Sequence, residues 1–333
     1  MADRDIAGLV VVITGASSGI GRACAHDFAR AGARLVLAAR NQAALDATVR
    51  ECTELGSQAV AVPCDVGEWR QVERLAQAAE RRFGGLDVWV NDAAVTAFGR
   101  LDEIPPGELE KVVRTNLLGT LFGCRAVLPA FRRRGAGTLI NVASMVGVIG
   151  QPLAAAYSSS KWAIRGLSEA LRAELVDAPF IQVCTVLPGS IDTPLFQHGA
   201  NHTGRTARPM PPVHAPEEVA RTVVALARHP RREVFVGAEG RVAALVHALA
   251  PGLTERIMAR RVPRKHFADQ PAGDGAGNLF AAQADAVHGG WGHGGEGAQA
   301  RALAVAAAAA LLLPLALLAW RRSRQADGGA RYV

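Results

Sequence analysis

The chain has 333 residues, half of them hydrophobic and a fifth charged, which is too apolar for a disordered polymer and long enough for one large α/β domain. Its net charge of +7 is uneven, because residues 241–333 hold 11 basic against 6 acidic side chains, so the basic excess belongs mostly to the last quarter and not to the body. Phe, Trp and Tyr total 17, which argues against a base-stacking nucleic-acid platform, and five cysteines without a Cys-x-x-Cys pair read as reduced, buried thiols of a cytosolic protein.

In chain order, residues 1–7 carry three charges and no export signal precedes the first apolar run. Seven Val/Ile/Leu-rich runs, 9–14, 34–39, 58–62, 87–91, 138–142, 181–187 and 234–236, have the composition of strands covered on both faces. Between them, 21–31, 42–55, 68–83, 106–133, 156–176 and 216–228 carry helical periodicity. The alternation predicts an α/β fold, a doubly wound parallel sheet with right-handed crossovers. Arg132, Arg133 and Arg134 close the fourth helix, where they complement its dipole and face water instead of a nucleic-acid backbone. Residues 192–215 are rich in Pro, Gly, His and Thr and predict a long loop beside the last strands, of the kind used as a lid. His198, His202 and His214 within it lack metal-ligand spacing and read as solvated, so no metal is expected.

Beyond residue 240 the pattern changes. Residues 241–261 read as one or two helices with Val242, Leu245, Val246, Leu249, Leu253, Ile257 and Met258 flanked by Arg260, Arg261, Arg264, Lys265 and His266; docking on an anionic bilayer and packing on the domain as a lid or dimer helix both fit. Residues 268–300 have the Gly/Ala/His composition of a flexible linker. Residues 302–320 are 19 uncharged residues with seven Leu and nine Ala, bounded by arginines, about the length that crosses ~30 Å of hydrocarbon. They predict a membrane helix, although the many alanines and Pro314 weaken it, and the arginines after it conflict in orientation with a catalytic domain on the cytoplasmic side.

Two segments carry chemistry. Thr14-Gly15-Ala16-Ser17-Ser18-Gly19-Ile20-Gly21 joins the first strand to a helix, where glycines allow a tight turn and the helix N-terminus offers free N–H groups to a pyrophosphate. An ordinary strand-to-helix turn is the other reading. The second strand ends at Arg40 with no carboxylate nearby; this arginine either binds the 2′-phosphate of NADP(H) or is simply solvated. Tyr157 and Lys161 stand four apart on a helical stretch, so an ammonium can lie near the phenol and favour its ionisation, making Tyr157 a general acid/base.

With these residues in place, the sequence over about 6–240 resembles the short-chain dehydrogenase/reductase family. Besides the Gly15, Ser17, Ser18, Gly19, Ile20 and Gly21 turn, Asp65 and Val66 match its adenine contact, Asn116 its helix asparagine, and Ser144 precedes Tyr157 by 13 residues as the pattern requires. Pro188, Gly189 and Thr193 match the turn at the nicotinamide end. The resemblance implies a Rossmann-like fold, a seven-stranded parallel sheet with helices on both faces, to which this chain adds a C-terminal helical extension. It also implies a carbonyl held by Ser144 and Tyr157, proton transfer by Tyr157, ribose binding and pKa lowering by Lys161, and a water ordered by Asn116. One departure stands in the segment Asn91-Asp92-Ala93-Ala94: the family commonly has an amide and a glycine where Asp92 and Ala94 lie, and a buried acid must be paired or protonated. Asn91 and Ala93 remain cofactor candidates.

The expectation is a catalytic domain over 1–240, a basic helical extension over 241–267, a linker over 268–300, a membrane helix over 301–322 and a tail over 323–333. Its activity would be an NADP(H)-dependent, in preference to NAD(H)-dependent, interconversion of a carbonyl and an alcohol on a hydrophobic small molecule. Expected partners are that substrate, membrane lipid through the C-terminal helix and a second copy in a homodimer or homotetramer, with no nucleic acid. The rival reading is a cofactor-binding scaffold or redox sensor whose chemistry has lapsed, and an epimerase or dehydratase that recycles its nicotinamide is a smaller alternative.

Overall fold

The computed structural model describes residues 5–283 and 286–292. Seven parallel strands form its sheet: β1 (Val10–Thr14), β2 (Arg34–Ala39), β3 (Ala59–Pro63), β4 (Val88–Asn91), β5 (Gly137–Val142), β6 (Ile181–Pro188) and β7 (Glu233–Val236), in spatial order β3-β2-β1-β4-β5-β6-β7. The chain steps outward from β1 to β3, then returns to lay β4 on the other side of β1. That reversal leaves a crevice at the carboxyl ends of β1 and β4, the usual ligand position in open α/β sheets.

Strand residues alternate between two cores, as a period of two demands. On one face Val11, Ile13, Leu35 and Leu37 pack with Phe28 of helix α1 (Gly19–Arg30), Leu45 of α2 (Gln42–Glu54) and, further along the chain, Val223. On the other, Val10, Val12, Val36 and Trp89 pack with Leu75 of α3 (Trp69–Phe83) and, further along the chain, Phe131 and Leu171. Both faces are covered, which is why the strands read as continuous apolar runs. The five cysteines are free and buried.

The helix expected over 106–133 is α4 (Pro106–Val113) followed by a π-helical turn (Arg114–Leu118) and then by α5 (Gly119–Arg134), with no break between them. Phe131 belongs to α5, and Leu171 to α6 (Ala155–Glu174). A π turn widens the helix by one residue and is common at functional sites; this one contains Asn116. At the end of α5 the three arginines are paired: Arg132 with Asp177 at 2.9 Å, Arg133 with Glu80, and Arg134 with buried Asp87 at 2.8 Å.

The expected loop over 192–215 contains a short helix α7 (Leu195–His198) and the strand pieces Ala200–Asn201, Arg205–Ala207 and Val213–His214. Its histidines differ from the expectation of solvated side chains. His202 Nε2 lies 2.8 Å from Glu108, and His214 bridges Glu218 of α8 (Pro216–Arg228) and Glu239 of α9 (Ala238–Leu249). Carboxylates on neighbouring helices draw both rings inward. Val223 in the first core belongs to α8. No group of three or more His, Cys, Asp or Glu suited to a metal ion occurs among the described residues.

The extension forms two helices, α9 and α10 (Pro251–Lys265). It is followed by the strand Phe267–Pro271, antiparallel to Arg205–Ala207. Residues 268–283 and 286–292 therefore lie against the body, unlike a free linker; Leu279 is fully buried beside Val95, Ala97 and Ala156. The apolar run 302–320 lies outside the described residues, among which no helix is long and apolar enough to cross a membrane.

Candidate active site

A cleft of about 750 Å³ opens at the carboxyl ends of the strands. Its floor at one end is the turn between β1 and α1. Gly15 adopts φ +75°, and a Cβ there would lie 2.8 Å from the Ala93 nitrogen, so the two loops close on each other only with glycine. Ser18 caps α1 without a side-chain hydrogen bond; the Gly19 N–H instead donates to the Ala286 carbonyl at 3.0 Å, at the edge where a helix N-terminus would meet an anion. Ser17, Ser18, Gly19 and Ile20 line it, and so do Arg40, Asp65, Val66 and Ala93. Asp65 is held by Lys111 at 2.8 Å and by the Gly67 N–H at 2.9 Å. Burial works to raise its pKa, but these partners outweigh it and the carboxyl sits below its ordinary range.

At the other end Ser144, Tyr157, Lys161, Pro188, Gly189 and Thr193 border the same cavity. Ser144 follows β5 by two residues and caps a single 3-10 turn, accepting the Val146 N–H at 3.3 Å. Tyr157 and Lys161 lie in the first turns of α6, with the ammonium 5.6 Å from the centre of the phenol ring. Lys161 Nζ donates to the Val142 carbonyl at 2.8 Å. The Ser144 hydroxyl donates to the Pro188 carbonyl at 3.5 Å, and the Ser144 and Tyr157 side chains line the same wall. A hydroxyl and a phenol are thus available to the same cavity.

The titration behaviour departs from a lysine-lowered phenol. Burial pushes the Tyr157 pKa above its ordinary value, the Ser144 hydroxyl opposes, and the Asp92 charge adds to the rise. Burial also pulls Lys161 down to about 8 against the attraction of Asp92. Asp92 is itself pushed up by burial to about 7, with Lys161 and the Gly21 N–H opposing. The ammonium that spacing assigns to the phenol thus shares its charge with an acid spacing did not assign, and its proton points at Val142.

Three expected residues fall outside the cavity wall. Asn91 is buried, accepting Trp89 Nε1–H at 2.7 Å and donating to Asn141 at 2.9 Å; it ties β4 to β5, so its side chain does not reach the cleft. Gly21 lies behind the turn, against the Gly15 carbonyl. Asn116 is fully buried, its amide paired with both the N–H and the carbonyl of Val95 at 2.8 and 2.9 Å and donating to Ser160 at 3.1 Å. It fixes the loop after β4 beside the site.

Other wall residues come from the extension, whose apolar positions fit either a bilayer-docking or a domain-packing helix by sequence. Val242, Val246, Leu249, Leu253, Ile257 and Met258 of α9 and α10 line the outer half of the cavity, which makes these helices a lid on the domain, although Leu245, Leu249, Leu253 and Ile257 stay 41–52% exposed. His266, at the end of α10, borders the cleft inside a ring of Phe98, Phe196 and Phe267 with centroids 5.1–5.5 Å away, and neither ring nitrogen has a hydrogen-bond partner. Burial pulls its pKa down to about 4.

The sheet order, the glycine turn and the Ser144, Tyr157 and Lys161 cluster define a nicotinamide-dependent oxidoreductase of the doubly wound class. The comparisons agree: residues 9–203 match the short chain dehydrogenase family, and the chain belongs to it. It is 38% identical over 267 residues, 79% of this chain and 75% of the relative, to the uncharacterized oxidoreductase YxnA of Bacillus subtilis. Among solved structures it is similar to a short chain dehydrogenase/reductase from Burkholderia phymatum in complex with NAD, at 25% identity and TM-score 0.69, covering 75% of this chain and 96% of that one. It is also similar to an alcohol dehydrogenase from Thermococcus sibiricus complexed with 5-hydroxy-NADP, at 31% identity and TM-score 0.60, covering 68% and 95%.

Proposed function

We propose that this chain is an NADP(H)-dependent oxidoreductase that interconverts a carbonyl and an alcohol on a hydrophobic small molecule. The observation that carries the reading is that Ser144 and Tyr157 line one long cleft with the Lys161 ammonium 5.6 Å from the phenol ring. The cleft fits a dinucleotide, since the N-terminus of α1, which lacks a Ser18 side-chain cap, borders it and Asp65 and Val66 stand where an adenine would rest. The nicotinamide supplies hydride. Ser144 and Tyr157 hold the substrate oxygen and polarise its carbon; Tyr157 then delivers a proton to that oxygen, and Lys161 positions the ribose and steadies the phenolate left behind. A phenol with a raised pKa keeps its proton until it is needed, which suits it to the acid role in reduction. Tyr157→Phe removes the transferable proton and keeps the ring, so turnover should fall by at least ~1000-fold while the dinucleotide still binds. Retained turnover in a spectrophotometric assay would refute the role.

The cofactor reading rests on Arg40, whose guanidinium is the cation beside the end of β2, where no carboxylate stands to hold a 2′-hydroxyl. Arg40→Asp should reverse the preference between NADPH and NADH, measured as the ratio of their dissociation constants. An unchanged ratio removes the basis for NADP(H). The hydrophobic substrate is supported by the apolar lid side chains at the cavity mouth. Leu121 and Trp162, large apolar side chains exposed on α5 and α6, support assembly into a homodimer or homotetramer through those helices. The apolar run 302–320 is retained as a membrane tether with the catalytic domain in the cytoplasm. Carbonate extraction tests it, and release of the protein into the soluble fraction ends that part of the proposal.

A further inference from the structure

Residues 272–283 and 286–292 run along the cleft, which Asn278, Ala282 and Gln283 line, and two of the groups that anchor them there, Arg40 and the Gly19 N–H, are the donors assigned above to cofactor phosphates. Arg40 gives one guanidinium nitrogen to the Leu279 carbonyl at 2.7 Å and the other to the Asn278 carbonyl at 2.5 Å. The neighbouring Asn41 amide donates to the Gln283 carbonyl at 2.8 Å. The Gly19 N–H, at the N-terminus of α1, donates to the Ala286 carbonyl at 3.0 Å. Further on, the Trp291 N–H is accepted by Asp192 at 3.0 Å and His288 pairs with Glu217 at 3.0 Å. The near side is stitched to the lid loop, since Asn201 and Gly275 exchange backbone hydrogen bonds and the Asn278 N–H reaches the His198 carbonyl at 2.7 Å.

We propose that this segment is a strap gating the cofactor cleft, latched by the phosphate-binding donors themselves, so that a dinucleotide binds by taking Gly19 and Arg40 away from strap carbonyls. The argument rests on the cofactor reading given above. A neutral carbonyl and a phosphate oxygen compete for the same N–H, and the charged acceptor makes the stronger bond with a guanidinium. A phosphate can therefore open the latch, but only against the bonds and burial that hold the strap down. A 2′-phosphorylated dinucleotide must win both donors, whereas NAD(H) needs only Gly19. The strap thus burdens NADP(H) binding more, and loosening it should favour NADP(H) most.

Gly277 and Leu279 allow the test without touching Gly19 or Arg40. Gly277 has φ +53°, and a Cβ there would lie 2.2 Å from the His198 carbonyl oxygen, so Gly277→Ala pushes the strap off the body. Leu279→Ser removes the buried side chain that seats it. The full chain and both variants are titrated with NADPH and with NADH, following association by stopped-flow nicotinamide fluorescence and checking folding by thermal melting. Both variants should bind NADPH roughly tenfold faster and tighter than the parent, the effect of freeing one or two competing hydrogen bonds, and should gain less with NADH. Equal rates and affinities for parent and variants overturn the gate and leave the cofactor reading intact. Weaker binding by the variants overturns it too, by making the strap part of the binding wall. Binding of neither dinucleotide to any of the three proteins removes the cofactor reading and the gate together.

Discussion

At Asp92 the chain places an acid where an amide could make the same polar contacts, and the consequence is electrostatic. Its carboxyl accepts the Gly21 N–H behind the glycine turn and acts on Lys161 from within the protein. Burial raises the Asp92 pKa to about 7, so the negative charge that supports a protonated Lys161 is present above neutrality and lost as pH falls through that value. Asp92→Asn deletes this transition and, by removing the attraction, lets burial pull Lys161 lower still. The profile of kcat/KM from pH 5.5 to 9 should lose its inflection near pH 7, and its alkaline inflection should move to lower pH. An unchanged profile would show that the Asp92 charge does not reach the reacting groups.

At the scale of elements, what could be read in the sequence was set by whether the signal is local. Strands covered on both faces leave unbroken apolar runs, so β2 and α8 begin and end where composition says, and the ends of the other strands differ by a residue. Tyr157 and Lys161 share a helix, so their proximity follows from helical geometry; Arg40 directly follows β2, so its place at the crevice follows from the parallel sheet. Asn91 was misplaced because alternation along β4 does not tell which polar neighbour, Trp89, Asn141 or cofactor, will take a given amide. The π turn at Asn116 was not legible either, since an extra residue per turn changes no composition. The largest omission was the segment after residue 267. Its Gly and Ala content suggests a linker, yet short side chains also let a backbone lie close to another surface and bond through its carbonyls. Among the described residues there, only one large side chain, Leu279, is fully buried, and nothing in its neighbourhood marks it. His266 had the look of one more surface cation beside Arg264 and Lys265, and only the approach of Phe98 and Phe196 from elsewhere in the chain buries it.

Over the whole molecule the catalytic half is framed by pieces distant in sequence, and His214 is where three of them meet. It sits in the loop after β6, with Nε2 2.7 Å from Glu239 of α9 and Nδ1 3.2 Å from Glu218 of α8, so it joins the lid to the Rossmann body. The Glu239 hydrogen bond is the largest influence on His214 and, with both carboxylate charges, raises its pKa above the ordinary 6.5 against the effect of burial. For Glu239 burial acts to raise the pKa, but the His214 bond and its own backbone N–H prevail and the value is lowered from 4.5. The two shifts bound a window. Stability from a His with a raised folded pKa is fully present below about pH 6.5 and is lost as pH rises through the folded value; stability from an acid with a lowered pKa is present above about pH 4.5 and is lost as pH falls through its folded value. The clamp is therefore strongest between those limits and weakens in mild alkali, where the ring becomes neutral. His214→Gln keeps one hydrogen bond and removes the charge. It should cost about 1 kcal/mol at pH 6, the scale of a partly exposed charged hydrogen bond, and much less at pH 9, with the difference read from paired thermal melts. Hydrogen exchange should place the pH-dependent loosening in α9, which lines the outer half of the cleft. A deficit of equal size at both pH values would mean that the ring serves as packing alone and that the lid is not held by its charge.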